Sequence, residues 1–274
     1  MPDKFEHKKS LGQHFLNSDY APKKMCDAAD IQVGDIVLEI GPGTGALTKE
    51  LLSRGSTVIA VEADNRAIAE LEVVFPEYIK EDKLIIHHKD ARSLDLTSLD
   101  LVAGQYKVVS NIPYYLSGML FRSLLDTDCQ PMTLVFLVQK EVAERIARTE
   151  KESLLSLSVK VFGNPTYICT VKRGHFTPPP KVDSAVVAIN NINKESFVGI
   201  SEELFFQVIH LGFAQKRKQL LGNLSKTFCR TALEAVFTSL SLPHTVRAED
   251  IPLEIWLILV KKLSALEIST DNLQ

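Results

Sequence analysis

The sequence is short of cysteine, of long apolar runs and of excess positive charge. Its four cysteines, Cys26, Cys129, Cys169 and Cys229, are scattered through 274 residues, in neither C-x-x-C pairs nor another zinc spacing. They read as reduced, small core hydrophobes, and no metal site is expected. The longest apolar runs, such as Met132–Val138 and Ile255–Val260, fall far short of the ~20 residues of a membrane-spanning helix, so no membrane partner is expected. Met1–Ser10 is polar and mixed in charge, without the apolar stretch of a secretory signal, which points to a cytoplasmic protein. Lys and Arg number 31 against 34 Asp and Glu, a net charge of −3, which argues against a surface coated in cations for nucleic acid. The charge is unevenly placed, however. Residues 62–100 hold ten acids and five bases, and residues 140–173 hold seven bases and four acids, which leaves room for local basic faces.

What is present fits a soluble globular chain, long enough for one large domain and a smaller companion. Asp35–Ile40 is an apolar run ending at Gly41, and Leu47, Leu51 and Leu52 then recur at helical spacing before Gly55: strand, glycine turn, helix. Strands are predicted at Thr57–Val61, Leu84–His87, Lys107–Ser110 and Thr133–Val138. Helices are predicted on the Ile68, Leu71, Phe75 face, stopping at Pro76, and over Gly118–Leu125 and Glu141–Arg148. This alternation implies a mainly parallel sheet covered on both faces. Tyr167–Lys172 and Ser184–Ile189 lack a helix between them and are expected to pair antiparallel at one edge. Beyond Ser201 the pattern is helical. The expected fold is α/β, a Rossmann-like domain with a seven-stranded sheet over 1–195, followed by a small helical domain over 196–274.

The turn Glu39-Ile-Gly41-Pro-Gly43-Thr-Gly45 lies where glycines let backbone approach a ligand. Gly41-x-Gly43-x-x-Ala46 also satisfies a dinucleotide pattern, with Glu62 about 20 residues on, so the glycines alone do not separate NAD from S-adenosylmethionine. The acids do. Glu39 would add like charge beside a pyrophosphate, whereas it suits the cationic sulfonium and amino groups of S-adenosyl-L-methionine. Asp90 closes the third strand, where a carboxylate can accept from an adenine amine. Gly41, Glu62, Asp90 and Asn111 all fall at carboxyl ends of predicted strands, the ligand-binding edge of open parallel sheets.

Strand four ends in Asn111-Ile112-Pro113-Tyr114. The amine of adenine is a poor nucleophile because its lone pair is delocalised into the ring, and acceptors for both N–H groups would localise it. The Asn111 side-chain oxygen and the Ile112 carbonyl supply two, Pro113 rigidifies the turn, and Tyr114 stacks on a base taken out of its helix. No general base is essential, since the proton becomes acidic only as the new bond forms.

Together with Lys9-Ser-Leu-Gly-Gln13-His14-Phe-Leu16-Asn17, Phe176-Thr-Pro-Pro-Pro-Lys-Val-Asp-Ser184 and Gly212-Phe-Ala-Gln-Lys-Arg217-Lys218, these elements resemble the small-subunit ribosomal RNA adenine dimethyltransferase family, in the family's order over residues 9 to 224. The resemblance implies four methyl transfers to two adjacent adenosines near the 3′ end of small-subunit rRNA, within a pre-ribosomal 30S particle, by an enzyme expected to be a monomer. It implies that His14 and Leu16 lie against the methionine portion of the cofactor, with Gly41 and Gly43 in the turn beneath it. Glu62 then holds the ribose, Asp90 the adenine amine, and Asn111 lies near the transferred methyl. Phe176 is implied opposite Tyr114 on the target base, and Arg217 and Lys218 as the RNA-contacting pair, on a basic run expected at the start of a helix. Ile112 stands where Leu is commoner in the family and His14 where Asn is common.

Three rival readings have specific content. A large-subunit rRNA methyltransferase conferring antibiotic resistance shares the glycine turn and the Asn-x-Pro-Tyr element, but the Phe176 and Gln215-Lys-Arg-Lys segments favour the small subunit. A non-catalytic ribosome assembly factor would have no need of Asn111 and Tyr114. An NAD-dependent oxidoreductase rests on the glycine pattern alone.

Overall fold

The computed structural model describes residues 14–271, which form two compact units, one of residues 14–147 with 163–192 and the other of 148–162 with 193–271. The first carries the sheet. Its elements in order are β1 (Phe15–Leu16), α1 (Tyr20–Ala28), β2 (Ile36–Ile40), α2 (Ala46–Ser53), β3 (Thr57–Glu62), α3 (Asn65–Val74), α4 (Pro76–Lys80), β4 (Leu84–His88), β5 (Tyr106–Asn111), α5 (Ser117–Leu125), β6 (Thr133–Gln139) and α6 (Lys140–Ala147). After an excursion into the second unit come β7 (Asn164–Val171), β8 (Phe176–Thr177) and β9 (Ser184–Asn190).

Seven strands form one sheet in the order β4-β3-β2-β5-β6-β9-β7. The first five are parallel, and β9 runs antiparallel to both β6 and β7, as the missing helix between the last two strands predicts. In β2, β3, β5, β6 and β9 nearly every residue is buried. Side chains alternate between faces along a strand, so uninterrupted burial means that both faces are covered. The edge strands β4 and β7 are only partly buried. A second ladder, too short for any periodic signal, joins β1 to β8 antiparallel, Phe15 opposite Thr177 and Leu16 opposite Phe176.

The second unit is helical: α7 (Leu154–Lys160), α8 (Glu202–Phe213), α9 (Leu220–Leu224), α10 (Arg230–Ser239) and α11 (Leu253–Asp271). Its core includes the Phe162, Phe197, Phe205 and Phe206 rings, with centroids 5.4–6.4 Å apart, and Trp256 stacked on Phe213. This packing moves the expected boundary. A single cut near residue 195 assigns Arg148–Phe162 to the first domain, yet Phe162 stacks on Phe206, and the Glu152 N–H donates to the Glu249 carbonyl. The chain therefore enters the helical unit, returns for β7 to β9, and enters it again. Helix α7, begun by a Ser153–Ser156 capping box, has no counterpart among the helices expected from the sequence.

Candidate active site

The carboxyl ends of β2, β3, β4 and β5 open onto one cavity whose walls include Glu39, Gly41, Glu62, Asp90, Asn111 and Tyr114, with His14 and Leu16 closing it. Eleven of the twelve residues expected here from the sequence, namely His14, Leu16, Gly41, Gly43, Glu62, Asp90, Asn111, Ile112, Pro113, Tyr114 and Glu39, line it. The short β1–β8 ladder joins the two ends of the sheet domain's sequence: His14 Nδ1–H donates to the Pro178 carbonyl at 2.8 Å, and the Asn17 N–H to the His175 carbonyl at 3.0 Å. Residues 9–13 of the first motif lie outside the described residues.

The glycine turn is left-handed at Gly41, Gly43 and Gly45, with φ of 70°, 58° and 81°, a region open to glycine. The three do different work. A Cβ on Gly41 would meet nothing within 4 Å, whereas one on Gly43 would come within 2.7 Å of the Phe15 ring and one on Gly45 within 2.5 Å of Phe75. Gly41 thus leaves a cradle for a ligand, and Gly43 makes room for β1 while its N–H donates to Glu62 at 3.2 Å.

The acids differ just as sharply. Glu62 is buried and accepts from the N–H groups of Gly43, Ala63 and Asp64, which fixes its carboxylate at the end of β3 and leaves one acceptor site, on Oε2, for a ligand hydroxyl. Glu39 is 1 % exposed, and accepts from the Thr48 hydroxyl at 2.7 Å. Burial pushes it up to about 8, against the hydrogen bond from Thr48 and with help from Glu62. In the chain by itself Glu39 is mostly protonated at neutral pH, and a cationic ligand would ionise it. Asp90 carries a two-pronged pair with the Arg92 guanidinium and also accepts the Arg92 N–H. Those hydrogen bonds hold its carboxyl below the usual range. Any ligand amine at Asp90 would share the carboxylate with Arg92, a competitor that nothing in the sequence pattern announces.

The Asn111 Nδ2 donates to the His14 carbonyl at 3.3 Å. A carbonyl only accepts, so this bond fixes the amide orientation and leaves Oδ1 as the free acceptor. Ile112 is 2 % exposed and its side chain carries no polar group, so the only hydrogen-bonding group it offers as an acceptor is its carbonyl. Tyr114 is pinned twice: its hydroxyl pairs with Ser184 at 2.6 Å and its ring stacks on His14 at 5.8 Å. Burial raises its pKa, which keeps the phenol neutral.

Two expectations are corrected. Phe176 is 2 % exposed, packs in the core and does not line the cavity, because alternation along β8 turns Phe176 inward and Thr177 outward. A second face for a base is not preformed there. Lys216, Arg217 and Lys218 are exposed in the turn between α8 and α9, closed by the Lys218 N–H to the Gln215 carbonyl at 2.9 Å, and not at a helix start. Gln219, at φ −65° and ψ 145°, is extended, and α9 begins only at Leu220. Most bases of 140–173 are paired. Lys140 pairs with Glu144, Arg145 with Glu141, Lys151 with Glu249, Lys160 with Glu152 and Lys172 with Asp183. Among the described residues no cluster of metal ligands occurs, and no helix is long and apolar enough to cross a membrane.

Comparison with known proteins agrees with this geometry. The family model described as ribosomal RNA adenine dimethylase matches residues 4–264. Ribosomal RNA small subunit methyltransferase A of Dehalococcoides mccartyi (strain CBDB1) is 40% identical over 255 residues, covering 91% of this chain and 86% of that protein. Among solved structures, a dimethyladenosine transferase from Plasmodium falciparum superposes with a TM-score of 0.76 at 28% identity, covering 92% and 98% of the two chains. The 23S rRNA methyltransferase ErmE does so at 0.70 and 21%, covering 91% and 99%, a likeness of fold.

Proposed function

The chain belongs to the ribosomal RNA adenine dimethylase family, and on that premise we propose that it dimethylates the N6 amines of two adjacent adenosines near the 3′ end of small-subunit rRNA, acting as a cytoplasmic monomer on a pre-ribosomal 30S particle. The observation that carries the chemistry is the Asn111 amide, one of whose two N–H groups donates to the His14 carbonyl, which orients its oxygen as the acceptor for an adenine amine. The family uses S-adenosylmethionine, and the residues fit it: the open cradle at Gly41, a buried acid in Glu39 that a cation would ionise, and the fixed carboxylate of Glu62. The cofactor supplies an electrophilic methyl group on a sulfonium.

The chain's own residues prepare the other partner. Asn111 Oδ1 and the Ile112 carbonyl accept the two amine hydrogens and draw the nitrogen lone pair out of conjugation, an interaction that strengthens as the nitrogen turns tetrahedral. Pro113 and the twice-pinned Tyr114 hold the base plane in place, so positioning costs little reorganisation during the reaction. The helical unit, through Arg217 and Lys218, supplies phosphate contacts. Incubation with methyl-labelled cofactor and isolated ribosomal subunits tests the reading. Label in adenines of the small-subunit RNA supports it, label in the large subunit returns the function to the resistance enzymes, and no label in either contradicts it.

A further inference from the structure

Tyr114 and Tyr115 are consecutive on the short turn Tyr114–Leu116, where successive side chains diverge by about 120°. The first turns inward to Ser184 and His14. The second turns outward: Tyr115 is 61 % exposed, it lines the rim of the same cavity, and its ring stacks on no other among the described residues. Across the rim stands Arg92, held by Asp90 and within electrostatic reach of Tyr115. An aromatic ring and a planar cation are thus left open to water at the mouth of the site, and each favours a flat π system.

We propose that Tyr115, with Arg92 within electrostatic reach, is a second base-stacking platform, which receives the nucleobase adjoining the target adenosine in the RNA strand. The proposal rests on the reading of the cavity as the site of a displaced adenosine. Removing a base from its stack strips one face of its neighbour, at a cost of a few kcal/mol, and an aromatic ring at the rim replaces that missing partner. Stacking on an aromatic side chain tolerates any base, so the platform holds the neighbour whichever of two adjacent adenosines is in the cavity. The two tyrosines would divide the task, Tyr114 for the base being methylated and Tyr115 for the one beside it.

The test uses the full-length protein with cofactor and an RNA carrying the fluorescent analogue 2-aminopurine next to the target adenosine, whose emission is quenched on stacking. The wild-type protein quenches, Tyr115→Phe keeps the quench because it keeps the ring, and Tyr115→Ala loses it. The RNA dissociation constant of Tyr115→Ala rises roughly five- to hundredfold, the range for removal of one base–aromatic stack. Tyr115→Trp, with a larger face, quenches at least as strongly as wild type and serves if the alanine variant folds poorly. Equal quenching by wild type and Tyr115→Ala overturns the proposal, as does a Tyr115→Ala defect confined to cofactor affinity, which would place the ring on the cofactor instead. Wild-type protein that transfers no methyl group to the RNA defeats the functional reading beneath it, whereas transfer with an unaltered alanine quench defeats the platform alone.

Discussion

Replacing Glu39 by Gln should make the empty protein more stable and the cofactor complex weaker. Burial raises Glu39 from its ordinary value of 4.5 to about 8. Between those two values the folded chain binds more protons than the unfolded one, so stability falls as pH rises from about 4.5 to about 8 and is flat outside that window. At pH 7 the chain has crossed some 2.5 pKa units of the window, at about 1.4 kcal/mol each. The largest cost is therefore about 3 kcal/mol, and local relaxation lowers it. Gln keeps an oxygen for the Thr48 hydroxyl and has no charge to suppress. The free variant should melt on the order of 5 °C higher at pH 7, with the gain vanishing near pH 4. Its cofactor affinity should drop roughly tenfold or more, the scale of one charge-assisted bond. Wild-type affinity should also rise with pH up to about 8 as the proton is lost ahead of binding, and the variant should lack that component. Scanning calorimetry and titration of both proteins from pH 5 to 8.5 measure all of this. A variant no more stable than wild type, with the same affinity and pH profile, would refute the argument.

The other acids should rank by their partners. Glu62→Ala removes the acceptor for three backbone N–H groups and should weaken cofactor binding by about 1.5–3 kcal/mol or more. Asp90→Ala should cost less, because Arg92 already occupies that carboxylate; titration calorimetry gives both numbers, and the reverse order would undo the assignment. Asn111→Ala should lower the methylation rate at saturating RNA far more than RNA affinity, and single-turnover assays decide it: a normal rate with diminished affinity assigns Asn111 to binding. Arg217 and Lys218 changed together to Ala should weaken RNA binding and flatten its salt dependence by about 0.7 for each phosphate no longer neutralised, and a wild-type slope would return both to ordinary surface.

The sheet was legible because strand and helix periods differ and because the parallel strands lining the cavity end in residues with a ligand-facing task. Glu62, Asp90 and Asn111 could be placed at strand ends by counting. The β1–β8 ladder could not, since two-residue strands show no period and their pairing spans some 160 residues. The same limit applies to Phe176: its neighbours in sequence announce a special loop, but which way its ring turns is set by a partner strand. Helix α7 is only seven residues long and its allegiance to the helical unit depends on Phe162 packing. The position of Lys216–Lys218 is not legible in the sequence, because charged residues carry no apolar period to mark a helix start, and the extended backbone at Gln219 that delays α9 to Leu220 is a property of the fold. Glu39 was legible as an acid, whereas its protonation follows from burial that only the fold creates.

The most direct test of the central claim is mass-spectrometric mapping of small-subunit rRNA, taken from particles that lack the modification, after reaction with the purified protein and S-adenosylmethionine. Two adjacent N6,N6-dimethyladenosines near the 3′ end, absent when Asn111→Ala is used, are the expected result. Methylation elsewhere, or an unmodified RNA with the wild-type protein, would contradict the account.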